Sequence, residues 1–184
     1  REMSEGELLQ LQKSRSLNID IDTYYEVIRK KTATLIASCT ACGATASGAD
    51  QETIDRIYQL GILIGMAFQI KDDLFDYQDH GLIGKPTGND IKEKKFTLPL
   101  IYALGQADAS KRRSIIRKIK HGKRSQKVVN EVVDFVKTTG GIEFATEQML
   151  NFKQEAMDVL ETFPDTPARS SMAELIEFTV SRKK

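Results

Sequence analysis

The sequence predicts an all-α protein, a helical bundle around a central cavity, and three observations carry that reading. Prolines are few, four in 184 residues. Two of them, Pro99 and Pro167, stand where a first helical turn tolerates a missing N–H. No stretch alternates apolar and polar residues with period two for long enough to demand a sheet. One segment, LGILIGMAFQI (residues 60–70), is apolar on every side, which marks a helix packed all round by others. There is no internal repeat and no low-complexity linker, so residues 1–184 read as a single all-α domain with enough length for a real core.

Taken in order, EGELLQLQ opens a helix over residues 3–17. A second runs over 22–46, with Asp22 as candidate N-cap and the small-residue run TATLIASCTACGATASG in its second half. The apolar segment belongs to a third helix, 51–79, capped by Asp50. Gly81, Gly84, Pro86 and Gly88 then break the pattern into a loop. Thr97 introduces a helix over 97–107. Residues 111–121 form a basic helix within SKRRSIIRKIKHGKR, with Ile115, Ile116 and Ile119 on one side. VVNEVVDFV and IEFATEQMLNF place amphipathic, peripheral helices at 125–138 and 141–162. Thr166 caps a closing helix, 167–181, which ends in a basic tail.

Composition excludes several functions. Lysine and arginine number 27 against 26 acidic residues, so no charge excess points to nucleic acid. Two cysteines, Cys39 and Cys42, build no disulfide framework and fit a reducing, cytoplasmic setting. Their C-x-x-C spacing lacks a second pair or a nearby histidine for zinc, and they read as small buried residues. No apolar run approaches the ~20 residues that span a bilayer. The basic helix 111–121 reads first as a solvated surface helix, with peripheral contact with an anionic membrane as the second reading.

The chemistry concentrates in MAFQIKDDLFDYQDHGLIGKPTGNDIKEKKFTLP, residues 66–99. Gln69, Asp72, Asp73 and Asp76 have the i, i+3, i+4, i+7 spacing of one helix face, continuing Ile62, Gly65 and Met66. A stripe that is apolar for two turns thus becomes polyanionic. Carboxylates so close raise one another's pKa unless cations sit between them, and a helix C-terminus is the wrong end for acids. Magnesium, which takes one or two carboxylates and completes its shell with water and phosphate oxygens, resolves the conflict. A calcium loop starting at Asp76 fails, because His80 and Thr87 would hold its fifth and twelfth positions. A Walker-type phosphate loop fails at Pro86, where Ser or Thr is required.

Positive charge returns at Lys85, on the loop, and at Lys94 and Lys95. Lys85 and Lys95 suit phosphate oxygens bridged to the aspartates by metal; Lys94 reads as a solvated charge. Lys31 and Thr32 interrupt an otherwise apolar helix. Below them Leu35, Ser38 and Cys42 form one stripe and Ile36, Cys39 and Gly43 the next. Two adjacent helices, each polar at one end and lined by small or apolar residues beyond, describe a pocket for a ligand with a charged head and an apolar tail. On that reading Gly65 lines the pocket.

FQIKDDLFDY, GKPTGND, KKFTLPL and the upstream YYEVIRKKTATLI, in this order and spacing, resemble the C-terminal part of trans-isoprenyl diphosphate synthases, the polyprenyl synthetase family. The resemblance implies an all-α bundle around a deep cavity and condensation of an allylic diphosphate with isopentenyl diphosphate. It implies magnesium on Asp72, Asp73 and Asp76, and diphosphate binding by Lys31, Lys85 and Lys95. It places Thr32 and Gln69 near the forming carbocation, Phe68 near the isopentenyl site, and a second copy as partner in a homodimer. The family's first aspartate-rich motif and its isopentenyl clamp match nothing before Lys31, so the chain reads as the later part of a longer enzyme. Two further readings share the pattern. A terpene cyclase commonly carries an Asn-Ser-Glu type metal site instead of DDLFD. A non-catalytic subunit of a heteromeric synthase typically loses motif aspartates, and this chain keeps three.

Overall fold

The computed structural model describes residues 1–16, 20–78, 88–121 and 125–183, and every regular element among them is helical. In chain order these are α1 (Glu2–Ser16), α2 (Ile21–Ile28), a π-helical turn (Arg29–Ala33), α3 (Thr34–Ala46), α4 (Gln51–Phe75), α5 (Asn89–Lys92), α6 (Leu98–Gln106), α7 (Ala109–His121), α8 (Gln126–Thr138), α9 (Gly141–Glu161) and α10 (Pro167–Ser181). The all-α expectation holds. No described helix is long and apolar enough to cross a membrane.

α4 is the central helix, touched by the π-turn, α2, α3, α6, α9 and α10. Asp50 starts it, accepting from the Thr53 N–H at 2.8 Å. Its middle is buried from Leu60 to Ala67 apart from the partly buried Ile62. Against the π-turn and α3 the approach is backbone to backbone. A Cβ on Gly65 would lie 2.5 Å from the Ala33 Cα, and one on Gly61 would lie 2.4 Å from the Ala37 Cα. Gly65 therefore permits close packing, and the expectation that it lines the pocket is corrected: a side chain here has nowhere to go.

Four other expectations change. The helix over 22–46 is three pieces, because the π-turn interrupts it. Its cap is Asp20, whose Oδ1 accepts from Thr23 N at 2.8 Å; Asp22 stands in the first turn, where an acid suits the helix dipole. α9 is not peripheral. It runs against α4, and Ala145, Met149, Ala156 and Leu160 are buried, small residues alternating with large so that the two helices approach closely. Cys39 and Cys42 are exposed rather than buried. α3 turns one side to α4, and its other side is open enough to leave Leu35 49% exposed as well. α7 does stay at the surface, with Ile115 and Ile119 pointing into the core.

Candidate active site

The π-turn places two of the predicted residues. Its Thr34 N–H reaches the Arg29 carbonyl, five residues back, and the Thr34 hydroxyl donates to the Lys30 carbonyl at 2.8 Å. A π-turn adds one residue to a helical rod, a distortion common at functional positions. Lys31 and Thr32, on this widened turn, both line a cavity of about 220 Å³. Lys31 Nζ donates to Gln10 Oε1 at 2.8 Å and pairs with Glu7 Oε2 at 2.6 Å, both on α1. The Thr32 hydroxyl donates to Gln69 Oε1 at 2.8 Å.

Gln69 carries that connection on to the aspartates. Its Nε2 donates to Asp73 Oδ1 at 3.0 Å, while the Tyr24 hydroxyl donates to Asp73 Oδ2 at 2.8 Å. Asp73 is buried, and that desolvation pushes its pKa up to about 7 against the pull of the Tyr24 and Gln69 hydrogen bonds. Burial, with Asp73 beside it, drives the Tyr24 hydroxyl well above its ordinary range.

The aspartate stripe does not act as one cluster. Asp72 pairs with the Arg182 guanidinium from the end of α10. Asp76 turns the other way: its carboxylate accepts from Asn89 N at 2.8 Å and Asp90 N at 3.1 Å, and its carbonyl accepts from Gly88 N at 3.0 Å. It thereby caps α5, a helix of four residues. Asp90, so positioned, lines the cavity and lies 3.4 Å from Lys95 Nζ. Glu93 Oε2 holds the same ammonium at 2.6 Å and, more than Asp90, keeps its pKa above the ordinary value.

The cavity thus gathers Lys31, Thr32, Gln69, Asp72, Asp73 and Lys95. Phe68 lies outside its lining, with the Arg182 guanidinium 4.4 Å above its ring. Asp76 is likewise outside, and Lys85 falls among residues 79–87, beyond the described residues. Tyr24, Asp90 and Arg182 were not singled out from sequence. Tyr24 had a signal: it precedes Lys31 by two helical turns, and a buried tyrosine needs a partner for its hydroxyl. Arg182 had none, being 110 residues from the aspartate it meets.

Among the described residues no group of three or more carboxylate, imidazole or thiol side chains is arranged to hold a metal. Magnesium does not require one, since one or two carboxylates with water and phosphate oxygens complete its shell. Asp72 and Asp73, hard oxygen donors on one cavity wall, fit that smaller requirement. Asp76 lies outside the cavity lining, and both its oxygens accept from backbone N–H groups, as both of Asp73's accept from Tyr24 and Gln69.

Residues 1–136 match the family model for polyprenyl synthetases. The chain belongs to the polyprenyl synthetase family. It is 34% identical over 180 residues to a short chain isoprenyl diphosphate synthase of Methanothermobacter thermautotrophicus, covering 97% of this chain and 55% of that protein. It superposes with TM-score 0.90 and 39% identity on a geranylgeranyl pyrophosphate synthase from Bacteroides thetaiotaomicron, covering 98% of this chain and 60% of that one. A polyprenyl synthase from Caulobacter crescentus, crystallised with calcium and isoprenyl diphosphate, gives TM-score 0.91 at 30% identity, covering 100% of this chain and 56% of that one. The chain therefore spans little more than half the length of these polyprenyl synthetase relatives.

Proposed function

We propose that the protein acts as a trans-prenyltransferase, joining an allylic diphosphate to isopentenyl diphosphate with release of pyrophosphate. The observation that carries this reading is the single cavity in which the cations Lys31 and Lys95, the carboxylates Asp72 and Asp73, and the hydrogen-bonded pair Thr32–Gln69 meet. The Caulobacter relative supports it, holding a divalent cation and an isoprenyl diphosphate.

Magnesium on Asp72, with Asp73 beside it, would supply positive charge where the diphosphate gathers negative charge. Lys31 exchanges Glu7 and Gln10 for phosphate oxygens, and Lys95 likewise turns from Glu93 to the diphosphate. Lys85 joins them by its place in the GKPTGND stretch. The allylic C–O bond breaks with its electron pair leaving on pyrophosphate. The Thr32 and Gln69 oxygens are dipoles suited to the carbocation left behind, and the walls of Val27, Ile28 and Phe96 keep water from it. The isopentenyl double bond forms the new C–C bond, and the adjacent C–H proton passes to pyrophosphate.

The reading includes a cytoplasmic setting and a homodimer, for which Leu8 and Leu11 of α1, 67% and 51% exposed, offer an apolar face. Any peripheral membrane contact through α7 would be electrostatic, since Ile115 and Ile119 are taken up by the core.

The test uses a polypeptide of the relatives' length, supplied with both diphosphates and magnesium, with prenyl products resolved by mass spectrometry. Elongated product is expected, and Asp72→Asn should lower turnover by about 10²-fold or more with little change in thermal stability. Turnover within a few-fold of the parent would remove Asp72 from the metal site.

A further inference from the structure

Arg182 is the first residue past α10, and its environment is not that of a surface charge. Its N–H donates to the Phe178 carbonyl at 2.9 Å, which fixes its backbone on the last helical turn. Its Nε donates to the Thr179 carbonyl at 3.2 Å, and one terminal nitrogen pairs with Asp72 Oδ1. The guanidinium carbon lies 4.4 Å from the centre of the Phe68 ring and 5.2 Å from that of Phe75. Aromatic faces one above and one below the polar stripe of α4 thus hold a planar cation in position. Phe68, Asp72 and Phe75 are spaced i, i+4 and i+7, so this holder is built on one helix face.

The pairing has a chemical consequence. Of the three aspartates on the α4 stripe, Asp73 is held by Tyr24 and Gln69 and Asp76 by the backbone of α5, whereas Asp72 is held by a cation. Its charge is balanced by Arg182. A divalent cation at this carboxylate must compete with the guanidinium for Oδ1 and meets its positive charge there. Side chain 182 is only 21% exposed, and it stands one residue past the last turn of α10.

We propose that Arg182 is the resident counter-cation of Asp72, a positioning residue that holds this carboxylate in the metal-free protein and yields it when a divalent cation enters. The inference builds on the prenyltransferase reading above, in which Asp72 is a metal ligand. It makes the α10 end sensitive to metal occupancy. The apparent metal affinity is the intrinsic one multiplied by the fraction of time Asp72 is released, so removing the arginine should strengthen metal binding while loosening the metal-free protein.

The probe is manganese(II) alone, titrated into the full-length protein without diphosphate, with free Mn²⁺ counted by electron paramagnetic resonance. Arg182→Gln is expected to tighten Mn²⁺ binding about five- to tenfold, and to melt lower than the parent without metal but level with it at saturating Mn²⁺. Arg182→Lys, which keeps the charge but loses the planar fork, should fall between. Asp72→Asn should weaken binding and erase the effect of Arg182→Gln in the double variant. If the variants fold poorly, the wild-type protein answers by itself: the guanidinium NMR signals of Arg182 should move on magnesium titration as the pair opens. An unchanged Mn²⁺ affinity in Arg182→Gln beside weakened binding in Asp72→Asn would overturn the counter-cation role and leave the metal reading standing. Unchanged binding in Asp72→Asn would overturn both. Guanidinium signals indifferent to saturating magnesium would overturn the exchange.

Discussion

Asp73 holds a buried carboxyl between a tyrosine and a glutamine, and its burial makes the protein sensitive to pH. Its pKa is pushed from 3.8 to about 7 on folding. The folded state therefore keeps a proton that the unfolded chain has already lost. The stability this group contributes is fully present below its unfolded pKa and is lost as pH rises toward 7, by up to about 4 kcal/mol. In metal-free buffer the melting temperature should fall across that window, and Asp73→Asn should flatten the fall; a parent and variant with parallel pH profiles would contradict the assignment. Tyr24→Phe removes a hydrogen bond that pulls the Asp73 pKa down, so the carboxyl should titrate higher still by NMR, with a loss of about 1–2 kcal/mol in stability. The stripe Gln69, Asp72, Asp73, Asp76 was legible from helical spacing alone. What spacing could not show was that its members part company: Asp73 meets α2 and Asp72 the chain end, through contacts 49 and 110 residues long in sequence.

At the scale of elements, α5 depends on a residue outside it. Four residues make barely one turn, and such a helix has almost no internal hydrogen bonding to sustain it. Asp76 supplies two acceptors to its free N–H groups. Asp76→Ala should cost about 1–2 kcal/mol, as cap removals do, and should loosen Lys95 through Asp90, read as faster amide exchange at residues 89–92. Retained protection there would show that α5 stands without its cap. The seam between α4 and the π-turn is less forgiving. Gly65→Leu should destabilise by more than about 3 kcal/mol, because backbone lies where the side chain would begin; a stable variant with shortened product would restore Gly65 to the cavity wall. The central helix was legible as an apolar run. The π-turn was not, because RKKTA has the composition of an ordinary helical turn, and the helices it packs against, α1 and α4, are far from it in sequence or not visible in its local pattern.

Over the whole molecule, the open face of α3 sets the behaviour of the 184-residue polypeptide. Leu35, Cys39 and Cys42 share that face and are all exposed. Both thiols should react with a maleimide in native buffer about as fast as in denaturant, and the polypeptide alone should self-associate and form no prenyl product. Thiols that label only after unfolding would show the face to be covered. The π-turn acts at this scale too. Each helical residue advances the chain by about 100°, so one added residue sets the rotational phase of α2 relative to α3. α2 carries Tyr24 toward Asp73, and α1 lies against the turn itself, with Gly6 almost on the Lys31 backbone. Deleting a single residue between Arg29 and Ala33 would leave every side chain of the core in place from α3 onward. It would nonetheless swing the N-terminal end of the molecule round by more than a quarter of a circle, like a camshaft fitted one tooth out of mesh.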